Sequence, residues 1–220
     1  MKDHERLIAT WPEENLEWAI FFRTLGRTNV ARVYHDRIKR QPHPNWFEAM
    51  FIVYGEIVWR RYDEAIQAAH RLAELYPEGM VGQYMLGRAH LAAGHYAQAI
   101  DCLQKSAGNG PGTELQGLLG RTYALAGDRA NALALLRQLE QRVQSGDADP
   151  YFLAWIQAAL GQKDEALGSL ERAVQYRSEY VVHADFGGLR TDPAWETLRD
   201  DPRFEALCRR VGMGQGQWPK

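Results

Sequence analysis

The chain has 220 residues, of which 45% are hydrophobic and 25% charged, with a formal net charge of −2. It is long enough for one large core or two small ones, and with no basic excess it offers no field that favours nucleic acid or an anionic membrane. No apolar run approaches the ~20 residues that cross a bilayer, Met1–Arg6 carries both charge signs with no secretory apolar core behind it, and Cys102 and Cys208 are too few for a disulfide framework, so a reduced, cytoplasmic protein is expected.

A polar lead-in, 1–11, comes first. Thr10 with Glu13 predicts a capping box, and Pro12 fits the first turn of a helix. Trp18, Ala19 and Phe22 share one face of that helix, and Gly26 ends it. A second helix runs from about Thr28 to Arg40, with Val30, Ala31, Tyr34 and Ile38 inward, and the Pro42 and Pro44 pair stops it. Asn45 with Glu48 predicts the next capping box. Ala49, Ile52, Val53 and Glu56 face inward on its helix, and Tyr62, Ala65, Ala69 and Leu72 on the following one. Arg60 falls where a turn glycine is expected, so a residue there has to accept a strained conformation or the turn has to close differently.

From Met80 the pattern is cleanest: Leu86 and Gly87 allow two helices to approach, Gly94 turns the chain, and Tyr96 and Ala99 pack the second helix. Ser106–Gly112 is a glycine-rich break, and Thr113 with Gln116 predicts a third capping box. Leu119, Gly120, Tyr123, Gly127 and Ala132 follow, then a leucine-rich helix near Arg129–Gln144 and a turn at Ser145-Gly146-Asp147. Asp149-Pro150 opens the last pair, with Leu153, Ala154, Gly161, Ala166, Leu170 and Ala173. Asp192-Pro193 and Asp201-Pro202 each read as a cap followed by proline, which predicts short helices over 193–199 and 202–211 closed by Gly212. Phe204 and Leu207 point inward there, and Arg203, Arg209 and Arg210 outward.

One alanine recurs at Ala31, Ala65, Ala99, Ala132 and Ala166, at spacings of 34, 34, 33 and 34. A sustained period of this size means stacked helical pairs, each burying its apolar face against the next. In the third copy Leu86, Gly87, Gly94, Tyr96, Ala99 and Pro111, and in the fourth Leu119, Gly120, Tyr123, Gly127 and Ala132, stand at the small and large places of a known pattern. The chain resembles the tetratricopeptide repeat. The resemblance implies an all-α fold, a right-handed superhelical α-solenoid of helix-turn-helix repeats with C-terminal capping helices. Five copies are expected at 12–45, 46–79, 80–112, 113–146 and 147–180, then capping helices over 181–212 and a loose tail, 213–220. The segment Leu198–Phe204 with Leu207, Arg209, Arg210 and Gly212 resembles the end of many bacterial tetratricopeptide arrays found in regulators.

In this family the first helices line a concave groove. Carried residue by residue onto this chain, the groove places with binding chemistry are Phe47, Met50, Tyr54, Tyr84, Arg88, Arg121, Tyr151 and Trp155. Arg88 and Arg121 hold the same place in adjacent repeats. Aromatic residues and arginine dominate binding hot spots, and guanidinium grips carboxylates with two prongs. The expected partner is a protein or peptide segment with apolar and acidic groups, and Arg88 and Arg121 are expected to be accessible to it. Packing between helices is the competing account of the tyrosines and Trp155. The lysines and asparagines of a chaperone-tail clamp are missing from these places.

No cofactor, metal site or catalytic set is expected. His90 and His95 are five apart and do not share a helix face, Cys102 reads as a small core residue, and Cys208 beside Arg209 and Arg210 is at most a more reactive thiol. The glycine run 108–112 lacks the ending of a phosphate loop. The first reading is a non-enzymatic interaction scaffold or adaptor. The alternative is a sensor or regulatory module of a bacterial signalling or transcription system, and a small-molecule binder or enzyme ranks third. Trp11, Trp18, Phe21 and Phe22 need cover from the lead-in or from a second copy, which leaves a homodimer open.

Overall fold

A computed structural model of the chain describes residues 19–20, 28–108, 112–181 and 188–213. The features expected at Thr10, Trp11, Glu13, Trp18, Phe21, Phe22, Gly26, Pro111 and the tail lie outside these residues. Among the described residues the structure is helical with no strand. The helices are α1 (Thr28–Lys39), α2 (Trp46–Val58), α3 (Tyr62–Leu75), α4 (Met80–Ala92), α5 (Tyr96–Lys105), α6 (Thr113–Leu125), α7 (Arg129–Gln144), α8 (Pro150–Ala159), α9 (Lys163–Gln175) and α10 (Pro202–Arg210). Single 3-10 turns occur at Glu179–Val181 and Pro193–Trp195.

Ala31, Ala65, Ala99, Ala132 and Ala166 are each the fourth residue of α1, α3, α5, α7 and α9, and each is 0% exposed. The alanine period is therefore a packing period: a small side chain stands where each second helix crosses its neighbour. The turns repeat as well. Arg60, Gly94, Gly127 and Gly161 each sit two residues before a second helix, with φ of 59°, 78°, 84° and 78°. In each turn the next N–H reaches back to the carbonyl of Glu56, His90, Tyr123 or Gln157 at 2.9 Å. This is the left-handed ending that ties off the last carbonyls of a helix. Arg60 thus takes the strained conformation itself.

The pairs α2–α3, α4–α5, α6–α7 and α8–α9 stack in sequence, with α3 on α4 and α6 on α8, as a helical solenoid. Glycines set the closest approaches. A Cβ on Gly82 would come within 2.7 Å of the Ala73 backbone, and one on Gly87 within 2.5 Å of Leu103. The buried side chains form two clusters. One runs from Ala19 and α1 through α2 and α3 into α4, and the other from α4 and α5 to α10.

Local chemistry sets the ends. Asn45 accepts from the Phe47 and Glu48 amides at 3.0 and 2.9 Å, and Glu48 returns the bond to the Asn45 amide at 2.8 Å, as the sequence predicts. The capping box expected of Thr113 and Gln116 does not form. Gly112 is the cap, Thr113 is already helical, and the Gln116 side chain accepts from Arg142 at 3.0 Å instead. The helix expected over 193–199 is also shorter. Its backbone bonds run three residues back, as in Glu196 to Pro193 and Leu198 to Trp195. Three residues per turn keep Trp195 and Leu198 on one side, and both are fully buried. Phe204, Leu207 and Cys208 on α10 are buried, while Arg203, Arg209 and Arg210 face outward. Burial pushes the Cys208 thiol up to about 11, so it stays protonated and unreactive.

Candidate functional site

The first helices bring Tyr54 of α2, Tyr84 and Arg88 of α4, Arg121 of α6, and Tyr151 and Trp155 of α8 together. The Arg88 guanidinium lies 4.7 Å from the Tyr54 ring centre, 5.6 Å from that of Tyr84 and 5.4 Å from that of Trp155. It donates to the Tyr84 hydroxyl at 2.8 Å and lies 3.4 Å from Glu114. The Tyr84 hydroxyl in turn donates to the Glu114 carboxylate. A cation enclosed by three rings and one carboxylate keeps its charge without water.

This face is not open. The expectation that Arg88 stands accessible is overturned: it is 7% exposed. Tyr54, Tyr151 and Trp155 are buried too, and Arg121 keeps 12% of its side chain in contact with solvent. The cover is the chain's own segment 188–199. Its Asp192 carboxylate accepts from the Trp155 indole N–H at 2.9 Å and lies 3.5 Å from Arg121. The same carboxylate caps its own turn by accepting from the Ala194 amide at 2.7 Å. Trp195 packs edge-on against Tyr151, with ring centres 5.3 Å apart, and its indole N–H reaches the Tyr151 hydroxyl at 3.3 Å. Burial pushes the Tyr151 phenol far above its ordinary range, so it remains a hydroxyl. Burial acts against the Arg121 charge, and Asp192 opposes that. At the far end of the segment, Glu196 pairs with Arg60 in the turn between α2 and α3.

Of the eight expected groove residues, six converge here. Phe47 and Met50 belong instead to the N-terminal core, where Phe47 stacks edge-on with Trp46 at 5.6 Å. Sequence reasoning named the arginine pair but missed its counter-ions. Glu114 stands at a groove place, and Asp192 was read only as a helix cap. An acid followed by an aromatic, just past the repeats, was the available signal. His90 and His95 also differ from expectation: the turn between α4 and α5 brings their Nδ1 atoms to 3.5 Å. Among the described residues no group of three or more metal-ligating side chains converges. A cavity of about 660 Å³ lies beside Asp147, Asp149, Tyr176 and Tyr180, with none of the six converging residues in its lining.

Helix pairs whose second helix recurs every 33 or 34 residues, small residues at their crossings and left-handed turns between them define a helical repeat solenoid. Residues 60–122 match a tetratricopeptide repeat profile, and residues 114–138 and 151–172 match a second one. The chain is a tetratricopeptide repeat protein. Among curated proteins, none matches it. No described helix is long and apolar enough to cross a membrane.

Proposed function

We propose that the chain is a non-enzymatic protein-interaction module whose concave face recognises an apolar segment bearing an acidic group. Tetratricopeptide repeats in general mediate contacts between proteins. The observation that supports this reading is the seating of Asp192 and Trp195 on the arginine and aromatic shelf of α4, α6 and α8. The shelf holds a short acidic and aromatic segment of non-repeat chain, and it does so in the way a hot spot holds a ligand, with an arginine and buried rings.

A photo-crosslinking side chain tests the reading. Placed at Leu125, at the end of the first helix α6 and 39% exposed, it should capture a partner in the native cell. Placed at Leu75, on a second helix and 51% exposed, it should not. Capture from Leu75 and not from Leu125 would assign binding to the other face.

The same seating favours a second reading, the regulatory module. A face that its own chain covers can exist in two states, covered and uncovered, and an effector can bias such a pair.

A further inference from the structure

We infer that segment Leu189–Arg199 is an internal stand-in for the ligand of this groove, and that the partner segment carries the same chemistry, an aspartate followed closely by tryptophan. The inference rests on the concave-face reading above and names its partner and its gate.

Three observations carry it. The first is the manner of attachment. Among the described residues, the backbone bonds of 189–198 close within 181–201, as in Thr191 and Asp192 to Gly188, Leu189 to Val181 and Asp201 to Leu198. None crosses to a helix of the repeats. The segment meets the groove through side chains alone, as a bound peptide does: Asp192 on Arg121 and Trp155, Trp195 on Tyr151, Glu196 on Arg60. Asp192 with Arg121 and Glu196 with Arg60 each pair an acid on the segment with an arginine on the repeats, while Arg190 pairs with Glu205 of α10.

The second is the fit. A cavity of about 30 Å³ remains between Ile57, Arg88, Leu118 and Arg121 on the groove side and Asp192 and Pro193 on the segment. That is room for a water-sized group. The gap lies beside Arg88 and Arg121, the two arginines of this face. A partner side chain longer than Pro193 fills it.

The third is Arg60. The equivalent turns use Gly94, Gly127 and Gly161, whereas Arg60 holds φ at 59° at a cost of roughly 1 kcal/mol for a residue with a Cβ. Its guanidinium reaches Glu196, 136 residues along the chain. Strain at a turn together with a contact to the covering segment marks a clasp. Because the pair is exposed at 42% and 46%, it is a weak hold that modulates the cover without fixing it.

The consequence is competition. A partner segment sees only the fraction of molecules whose groove is uncovered, so its apparent affinity falls by that fraction. Loosening the clasp raises it.

The test uses the full chain and a fluorescein-labelled peptide with the sequence of Leu189–Arg199. Glu196→Arg places a third positive charge beside Arg60 and Arg199, removes the pairing of Glu196 with both, and leaves the Asp192 and Trp195 contacts intact. Anisotropy should show the peptide binding Glu196→Arg about three- to tenfold more tightly than wild type. Hydrogen exchange at Trp195 and Leu198 should quicken by a similar factor. Adding Arg121→Met should abolish the gain, and peptides with Asp→Asn or Trp→Ala at the matching places should bind at least about tenfold less tightly. Equal peptide affinity in wild type and Glu196→Arg overturns the clasp. Failure of the peptide to bind, with exchange quickened, overturns the ligand chemistry. A Glu196→Arg chain that sediments as a dimer assigns the ligand to a second copy and overturns the separate partner. Crosslinking from Leu125 that persists in excess unlabelled peptide leaves the concave-face reading standing while this inference falls.

Discussion

The two halves of the solenoid each bury a carboxylate, and they bury it differently. In the N-terminal half Glu56 of α2 is fully buried, yet burial, which raises its pKa, is outweighed by hydrogen bonds from His35 and Lys39, and it falls to about 2. His35 Nε2 lies at 3.2 Å and Lys39 Nζ at 2.7 Å from Oε1, and Arg61 Nε stands 2.6 Å from Oε2. All four side chains come from α1, α2 and the turn after it, within 26 positions of sequence from His35 to Arg61. In the C-terminal half Asp192 comes from outside the repeats and meets α6 and α8. The first carboxylate is knitted between neighbouring helices. The second is delivered to a prepared face by a segment that has no repeat of its own. The first arrangement can only be structural, since no part of it departs without unstacking α1 from α2. The second can come apart at a surface.

The largest expected effect lies in the second arrangement. Arg88→Glu would set a carboxylate beside Glu114 and within the field of Asp192, with three rings excluding water. Breaking a buried pair in this way costs about 3–5 kcal/mol. Chemical denaturation should show that loss, together with quickened exchange over 189–198. A loss under about 1 kcal/mol would mean that the ring enclosure around Arg88 is not a closed one. Because Arg88 is buried, a loss of partner capture in this variant reports on folding, and Arg121→Met is the cleaner probe of recognition.

Acid should separate the halves next. The folded pKa of Glu56 lies below its ordinary value of 4.5, so its contribution is fully present above about pH 4.5 and is lost as the pH falls towards 2. At about 1.4 kcal/mol per pKa unit this amounts to about 3 kcal/mol over that window. Glu56→Gln should remove the acid sensitivity of α1 and α2 below pH 4.5 and lower stability at pH 7 by a similar amount, while Asp201 and Glu205 at α10, held below their ordinary range by Arg203 and Arg190, keep theirs. Amide exchange in α1 and α2 should report the change, with α8 and α9 unaffected. An unchanged acid slope in Glu56→Gln would place the sensitivity elsewhere.

The same contrast explains what could be read from the chain. The repeat was legible because its signals are local: the alanine at the fourth place of every second helix, the glycine two residues before it, and Asn45 with Glu48 act within one or two turns. Of the two outcomes open at the Arg60 turn, the strained residue is the one found, and which of the two occurs is decided by the backbone of the folded turn rather than by spacing. Glu56 was placed on an inner stripe, but its three cations lie on other elements, and spacing alone does not reveal them. The cover was not legible, because no periodicity ties Asp192 to Arg121 or Trp195 to Tyr151. Capping logic captured the backbone role of Asp192 and stopped there. Oδ1 serves both the turn and Arg121, and Oδ2 accepts from the Trp155 indole.

The smallest effect sharpens the comparison most. Arg60→Gly relieves the left-handed strain, worth roughly 1 kcal/mol, and removes an exposed ion pair worth about 0–1 kcal/mol. Net stability by denaturation should therefore stay level or rise by up to about 1 kcal/mol. Exchange at Trp195 and Leu198 should nevertheless quicken, because the covering segment loses its outer hold. Gly127→Arg makes the reverse change at the equivalent turn, where φ is 84° and open space surrounds the Cβ position. It should cost roughly 1–2 kcal/mol with no change in exchange at the segment. If both substitutions moved exchange at the segment alike, the side chain of Arg60 would have no particular bearing on the cover, and its strained backbone would be a feature of the turn alone.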